Sequence, residues 1–479
     1  MIPSDLMQAV DGPVLCVDLD GTLVATDLLW ESLVSALQRS PWIALALPFW
    51  LLRGRAYVKR RVADESMVDF ATLPYREDVV AFVRGEFQRG RSVVLATAAD
   101  EQLAAGVSGH LGMFAAVIAS DGVTNLKGRA KAERLVGRFG SRNFDYLGNS
   151  RADIPCWRSA AMGMTAATAR PWRAPDVQIL STGERRRSGS VRSVVRALRT
   201  HQWLKNILIL VPVFAAHHFD LQTIRDIGLA LVSLCLCTSS GYIVNDLIDV
   251  TSDRQHHRKR LRPFAAGELS LSTGFLIVLG LWLSGFGLAF AALPAAFILA
   301  LVAYVTTTVL YSVRLKREPV ADVMVLAGLY VLRVVAGGAA VGIPISTWLL
   351  AFTLFMSLSL AFLKRFIEVS GQPAASPPQI PGRGYLTYDA TWLHPIGLTC
   401  SYLASVILAI YVNDANISHL YSHPDRLLLV CPVLLFWATR TWLKAHRGEM
   451  HDDPVVAIAT DPMTYLIAAI SAISVAAAL

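Results

Sequence analysis

The chain has 479 residues, 54% of them hydrophobic, with a mean hydropathy of +0.46 and a formal net charge of +8. Its long apolar blocks all follow residue 205 or so, which excludes one water-soluble domain and predicts a membrane-integral protein with a soluble front. The positive charge lies in one linker and in loops between apolar blocks, a pattern of headgroup and phosphate attraction. No basic-aromatic nucleic-acid module is visible, and six scattered cysteines argue against a disulfide framework.

The first residues, MIPSDLMQAVDG, lack the basic start and apolar core of a signal peptide, so the front is expected to face the cytosol. Residues 14–17, VLCV, read as a buried strand that runs into Asp18-Leu19-Asp20-Gly21-Thr22 and a helix. Two carboxylates and a Gly-Thr turn at the end of a strand suit phosphate chemistry. A second strand, Val93 to Ala96, ends at Thr97. Lys127 and Lys131 follow, and a third strand, Asp145 to Leu147, leads into Gly148-Asn149-Ser150-Arg151-Ala152-Asp153.

That ordered series resembles the four motifs of the haloacid dehalogenase (HAD) phosphohydrolase superfamily. The resemblance implies a Rossmann-like α/β domain over 1–168 with a helical cap over about 26–90. It also implies Asp18 as nucleophile, Asp20 as general acid and base, Thr97 and Lys131 (in preference to Lys127) on the phosphoryl oxygens, and magnesium held by Asp18, Asn149 and Asp153. The superfamily usually carries Asp where Asn149 stands, so weaker magnesium binding is expected. Within the cap, Pro41 to Leu52 is too short to span a bilayer; it fits a buried cap helix, and with Trp42, Phe49, Trp50, Arg53 and Arg55 it equally fits an interfacial one.

A Pro-rich and then basic stretch, 169–200, reads as a linker drawn to anionic lipid. Nine apolar blocks follow, at about 204–219, 224–246, 271–291, 294–313, 321–341, 347–363, 396–412, 427–443 and 463–479. Between them the basic residues Arg254 to Arg262, Arg314, Lys316, Arg317, Lys364, Arg365, Arg383, Arg440, Lys444 and Arg447 share one set of loops. The other set, 217–223, 342–346 and 413–425, has no Lys or Arg. The chemistry is therefore expected on the cytosolic face of the inner (cytoplasmic) membrane.

The second block ends in Asn245 to Pro263, NDLIDVTSDRQHHRKRLRP. On a continuous helix Asn245, Asp246, Asp249 and Asp253 fall at about 0°, 100°, 40° and 80°, one acidic face. Oxygen donors gathered at a helix end repel one another and oppose the helix dipole unless a cation holds them, and hard oxygens suit Mg2+. Arg254, Lys259 and Arg262 follow closely enough to grip a diphosphate.

This stretch resembles the first aspartate-rich motif of the UbiA superfamily of membrane prenyltransferases, and the match runs on through Ala265 to Gly267. The resemblance implies an all-α polytopic domain of nine transmembrane helices over 201–479, with Asn245, Asp246, Asp249 and Asp253 as magnesium ligands and Asp249 and Asp253 essential to catalysis. The second motif region carries Tyr311, Lys316 and Asp322, but Leu326 stands where members acting on aromatic acceptors have a second aspartate. HQWLKN at 201–206, YSVRLK at 311–316, LKRFIE at 363–368, GRGY at 382–385 and HDDPV at 451–455 resemble instead the decaprenyl-phosphate phosphoribosyltransferase branch.

In that branch phosphoribosyl diphosphate is the donor and a polyprenyl phosphate the acceptor. Lys205, Tyr311, Lys316, Asp322, Lys364 and Arg365 are then expected around the substrates, and the fused front as a phosphatase of the product. The alternative is a prenyltransferase using a prenyl diphosphate, with a regulatory or non-catalytic front. His451, Asp452 and Asp453 have no assigned role, and an oligomer is compatible with the sequence.

Overall fold

The computed structural model describes residues 12–166, 177–180, 191–371, 383–414, 417, 421–450 and 454–479. The chain divides into two compact units: residues 1–198 with 246–277, and residues 199–245 with 278–479. Thus 246–277, which the sequence assigns to the membrane domain, pack with the front.

The first unit is built on six parallel strands: β1 (Val14–Val17), β2 (Val93–Asp100), β3 (Ala116–Ser120), β4 (Phe144–Gly148), β5 (Gly163–Ala166) and β6 (Val177–Leu180), in the order β3-β2-β1-β4-β5-β6. Leu15 pairs with Val93 on one side and Asp145 on the other. Parallel strands are covered on both faces, which explains their apolar runs; Leu15, Cys16 and Val17 have no exposed surface. α1 (Leu28–Arg39), α2 (Ile43–Leu51), α3 (Arg55–Glu65) and α4 (Glu77–Gln88) lie between β1 and β2, and α5 (Glu101–Leu111), α6 (Arg129–Phe139) and α7 (Ile154–Ser159) follow the later strands. α1 begins where the Asp27 carboxylate accepts from the Leu29 amide, and α5 where Asp100 does the same for Gln102, so each cap satisfies an amide the helix leaves over. α8 (Val191–Leu198) and α11 (Val250–Gln255) complete this unit.

The second unit is helical: α9 (Val211–Ala215), α10 (Leu221–Ile248), α12 (Leu271–Ala292), α13 (Ala295–Val313), α14 (Ala321–Val341), α15 (Thr347–Ser370), α16 (Ala390–Tyr411), α17 (Val430–His446), α18 (Pro454–Thr460) and α19 (Pro462–Ala478), with α10 and α12 running into the first unit. Among the described residues seven helices are long and apolar enough to cross a membrane, and α18 with α19, bent by 76°, makes an eighth candidate. The apolar block at 204–219 folds differently: Thr200–Leu210 is a 3-10 segment and α9 has only five residues. It lies against α14, where a Cβ at Gly337 would come within 2.0 Å of the Ile209 carbonyl oxygen. Arg333 on α14 ties that segment down, donating to Asn206 Oδ1 at 2.9 Å and Tyr304 Oη at 2.7 Å, while Asn206 donates to Thr238 at 3.0 Å. A cation among apolar helices is tolerable because its donors find partners.

Candidate functional sites

In the first unit the strand order reverses beside β1, and the carboxyl ends flanking such a switch point form a crevice. Asp18 follows β1, Thr97 lies on β2, and Asn149 and Asp153 follow β4. Lys131, from α6, places Nζ 2.7 Å from Asp18 Oδ1, 3.5 Å from Asp153 Oδ1 and 2.9 Å from the Tyr146 hydroxyl, which donates to Asp153 Oδ1 at 2.8 Å. Lys127 is exposed. Asp153 Oδ2 accepts from the Asn149 amide and from the Ser150 amide and hydroxyl at 3.0–3.1 Å, so the turn holds this carboxylate still. Thr22 donates to Asp18 Oδ2 at 3.3 Å, and the Thr97 hydroxyl accepts from the Ala99 amide at 3.0 Å. Gly21 has φ +74°, and a Cβ there would meet Asn149 Nδ2 at 2.1 Å; only glycine gives this turn and lets the amide approach it.

Burial pushes the Asp18 carboxyl up to about 6, with Lys131 opposing and Asp153 reinforcing. Burial and then the Asp27 carboxylate push Asp20 up to about 8, although Asp20 Oδ1 accepts from the Leu28 amide at 2.9 Å. Burial thus raises both carboxyls, Asp20 above Asp18, an ordering in which Asp18 gives up its proton before Asp20 does. Burial tends to lower Lys131, but Asp18 and Asp153 outweigh it and hold the amine above its usual range. Lys59 and Tyr146 were not singled out from the sequence. Lys59, on α3, donates to Asn125 Oδ1 at 2.9 Å, and burial lowers it against the pull of Asp20 and Asp27. A hydroxyl-bearing ring in the fully buried strand FDYLG was the available signal for Tyr146.

The aspartate-rich segment is not one continuous helix. α10 ends at Ile248, Asp249 sits at the break with φ −86° and ψ 5°, and α11 restarts at Val250. Asp249 thus stands before a new helix N-terminus, where a carboxylate is favourable. Arg262 Nη1 lies 2.6 Å from Asp253 Oδ2 and 3.1 Å from Asp246 Oδ1, so two nearly buried carboxylates converge on one cation. Burial pushes Asp253 up to about 6, against Arg262 and with Asp246 and Asp249 adding to it. Arg254 turns elsewhere, pairing at 2.6 Å with Glu31 of α1, both side chains under 10% exposed. Lys259 is half-buried in the short turn Lys259–Leu261.

No three His, Cys, Asp or Glu side chains among the described residues gather into a metal cage. The donor sets nonetheless fit Mg2+, which binds through one or two carboxylates, several waters and substrate phosphate, and in each unit-one site two carboxylates already meet at a side-chain cation.

In the second unit Lys316, 2% exposed, donates to Asn245 Oδ1 at 3.2 Å. Asp322 and Arg365, expected near substrate, are fully buried and ion-paired with each other. Asp322 also accepts from the Tyr385 hydroxyl at 2.6 Å, which accepts from the Val320 amide at 2.8 Å; Arg365 also pairs with Glu368. Arg383 stands 3.6 Å from Glu368 and donates to the Tyr311 hydroxyl at 3.2 Å. Lys205 is 9% exposed, and Lys364 lines a small pocket with Tyr330 and Pro454. His451, Asp452 and Asp453 lie outside the described residues.

The profile of the UbiA prenyltransferase family matches residues 207–451, just over half of the chain. An uncharacterized protein, y4nM, of Sinorhizobium fredii is 35% identical over 96% of this chain and 90% of its own length. Nodulation protein NoeC of Azorhizobium caulinodans is 33% identical over 55% of this chain and 86% of its own. A decaprenyl-phosphate phosphoribosyltransferase of Corynebacterium glutamicum is 36% identical over 37% of this chain and 54% of its own. Among solved structures, a UbiA homolog from Archaeoglobus fulgidus bound to GPP and Mg2+ aligns over 59% of this chain and 97% of its own at 19% identity, with a TM-score of 0.45. With its apolar spans and the aspartate-rich segment at the end of one of them, the chain is an integral multi-pass membrane protein that belongs to the UbiA prenyltransferase family.

Proposed function

We propose that the membrane unit moves 5-phosphoribose from phosphoribosyl diphosphate to a polyprenyl phosphate, and that the front unit, a HAD-type phosphohydrolase, then removes the 5-phosphate. The observation that carries the transferase reading is the contrast between two acid clusters. Asp246 and Asp253 meet at a partly exposed Arg262, whereas Asp322, the one aspartate of the second motif region, is sealed against Arg365. Of these two clusters only the first is reachable, as one diphosphate needs. The phosphoribosyltransferase relative supports the choice of donor.

In this reading an ionised oxygen of the lipid phosphate attacks the anomeric carbon. The bond from that carbon to the diphosphate oxygen breaks, and its electron pair leaves with the diphosphate. Mg2+ bound by Asn245, Asp246, Asp249 and Asp253 would neutralise charge on that leaving group. Arg262 is loosely enough held to turn from the carboxylates to the diphosphate, and Lys316 offers a further cation. The basic loops beside this segment support a cytosolic placement.

In the front unit ionised Asp18 attacks the phosphorus of the 5-phosphate and Asp20 gives its proton to the departing sugar oxygen. Water then hydrolyses the aspartyl phosphate, returning the Asp20 proton and releasing inorganic phosphate. Lys131 holds the phosphoryl oxygens, and Mg2+ at Asp18, Asn149 and Asp153 would balance their charge. Tethering the two activities raises the local concentration of the shared intermediate.

The test is transfer of radiolabelled phosphoribosyl diphosphate to polyprenyl phosphate by purified enzyme with magnesium. Label is expected in lipid with the intact chain and absent with Asp249→Ala. Turnover of a prenyl diphosphate onto an aromatic acceptor, with no label in lipid, would overturn the reading.

A further inference from the structure

Helix α2 is apolar on every side: from Pro41 to Leu52 the chain reads PWIALALPFWLL. Its inward arc, Ile43 and Trp50 with half-buried Ala46 and Leu47, packs on Leu33, Ala36, Val58 and Val62 of the cap. The opposite arc faces out: Leu45 is 77% exposed, Phe49 71% and Leu52 86%, with Trp42 exposed beside them. At 100° per residue Ala44, Leu45, Pro48, Phe49 and Leu52 fall together on that outward side, with no polar residue among them. Scattered exposed apolar residues are ordinary; a contiguous outward apolar helix face marks an interaction surface.

The preceding helix indicates what covers it. α1 lies across the ends of two membrane spans, all within the first unit: Trp30 stacks on Phe275, in the first turns of α12, with centroids 4.9 Å apart, and the Gln38 side chain donates to the carbonyl of Ile248, the last residue of α10. α12 has 22 residues, about 33 Å at 1.5 Å per residue, which matches a hydrocarbon core of about 30 Å and sets Phe275 near its edge. Trp42 is four residues beyond Gln38, so the start of α2 is within about 15 Å of that span end. The flanks are basic: Arg39, Arg53 and Arg55 are exposed, and no Asp or Glu occurs between Glu31 and Asp64. A short apolar helix rimmed by arginines at the depth of the headgroups matches an anionic lipid surface.

We propose that α2 is an interfacial helix whose outer face, centred on Leu45, Phe49 and Leu52, lies in the headgroup region of the bilayer and rests the cap on the membrane. The inference stands on the chain's being an integral membrane protein and not on the chemistry proposed for either site.

The test places a nitroxide at Phe49→Cys or, separately, Leu52→Cys in the full chain, with Cys431→Ser removing the one cysteine that is not buried. The protein is held in nanodiscs of phosphatidylcholine and phosphatidylglycerol, and Val123→Cys, at a position 89% exposed, serves as the aqueous reference. Accessibility to an aqueous nickel reagent is expected to fall about threefold or more at positions 49 and 52 relative to 123, with oxygen accessibility rising, as in the apolar boundary of a bilayer. Nickel accessibility equal to that at 123 would overturn the proposal. Shielding from both reagents would also overturn it, by showing that protein covers this face.

Discussion

Two acid clusters in this chain are each bridged by an arginine, and they differ in access. Arg262 reaches Asp246 and Asp253 with 25% of its side chain exposed, while Arg365 joins Asp322 and Glu368 with none of its own exposed. A partly solvated guanidinium exchanges its partners at little cost. A sealed one cannot leave without stranding a carboxylate in an apolar surround. In the reading proposed above, similar side chains thus make a binding site in one place and a structural tie in the other, and exposure decides which.

The comparison breaks most sharply at Asp253. Asp253→Asn removes a charge from the reachable cluster and is expected to lower lipid labelling on the order of 1,000-fold. Its melting in detergent should stay within about 1 kcal/mol of the parent, because the loss also relieves crowding among carboxylates. Retained labelling would show that this cluster is not where the diphosphate is held.

Asp322→Asn should do the reverse. It leaves Arg365 buried and uncompensated and is expected to cost about 3–5 kcal/mol of stability, read as a lowered melting temperature. The paired replacement Asp322→Leu with Arg365→Met is expected to recover most of that loss. If Asp322→Asn melts like the parent yet no longer labels lipid, the sealed cluster is a substrate site after all.

A narrower effect is expected from Asp18→Asn. It should abolish release of inorganic phosphate from the phosphoribosyl lipid while lipid labelling continues. Labelling that falls in parallel would mean that the units do not work as separate catalysts. The smallest effect expected is that of Glu31→Gln, which loosens Arg254 and the contact between α1 and α11. A loss of about 1–3 kcal/mol is expected for a nearly buried charge-assisted pair, seen as faster amide exchange over 250–262. Unchanged exchange there would show that Glu31 does not brace this segment.

Much of the plan was legible in the residues. The apolar block read at 321–341 is the helix Ala321–Val341, and those at 271–291 and 294–313 lie within a residue of α12 and α13, because a bilayer sets the length of what crosses it. The strand VLCV and the acids after it were legible because a parallel strand buried on both faces must be apolar until it reaches its open end. The first apolar block was misjudged: composition says that 204–219 is apolar, but not that it folds as a 3-10 segment against α14.

What the sequence by itself determined was therefore local: which stretches are apolar, which strand ends carry acids, and which loops are basic. Hydropathy, strand alternation and loop charge are properties of neighbouring residues. Only the tertiary structure decided partners. It sent Arg254 to Glu31, 223 residues away, and Arg262 to the carboxylates; it closed Asp322 against Arg365 and broke the helix at Asp249. It also turned one face of α2 outward. A charge's role depends on how much water and which counter-charge the fold leaves beside it, and residues distant in the chain supply both.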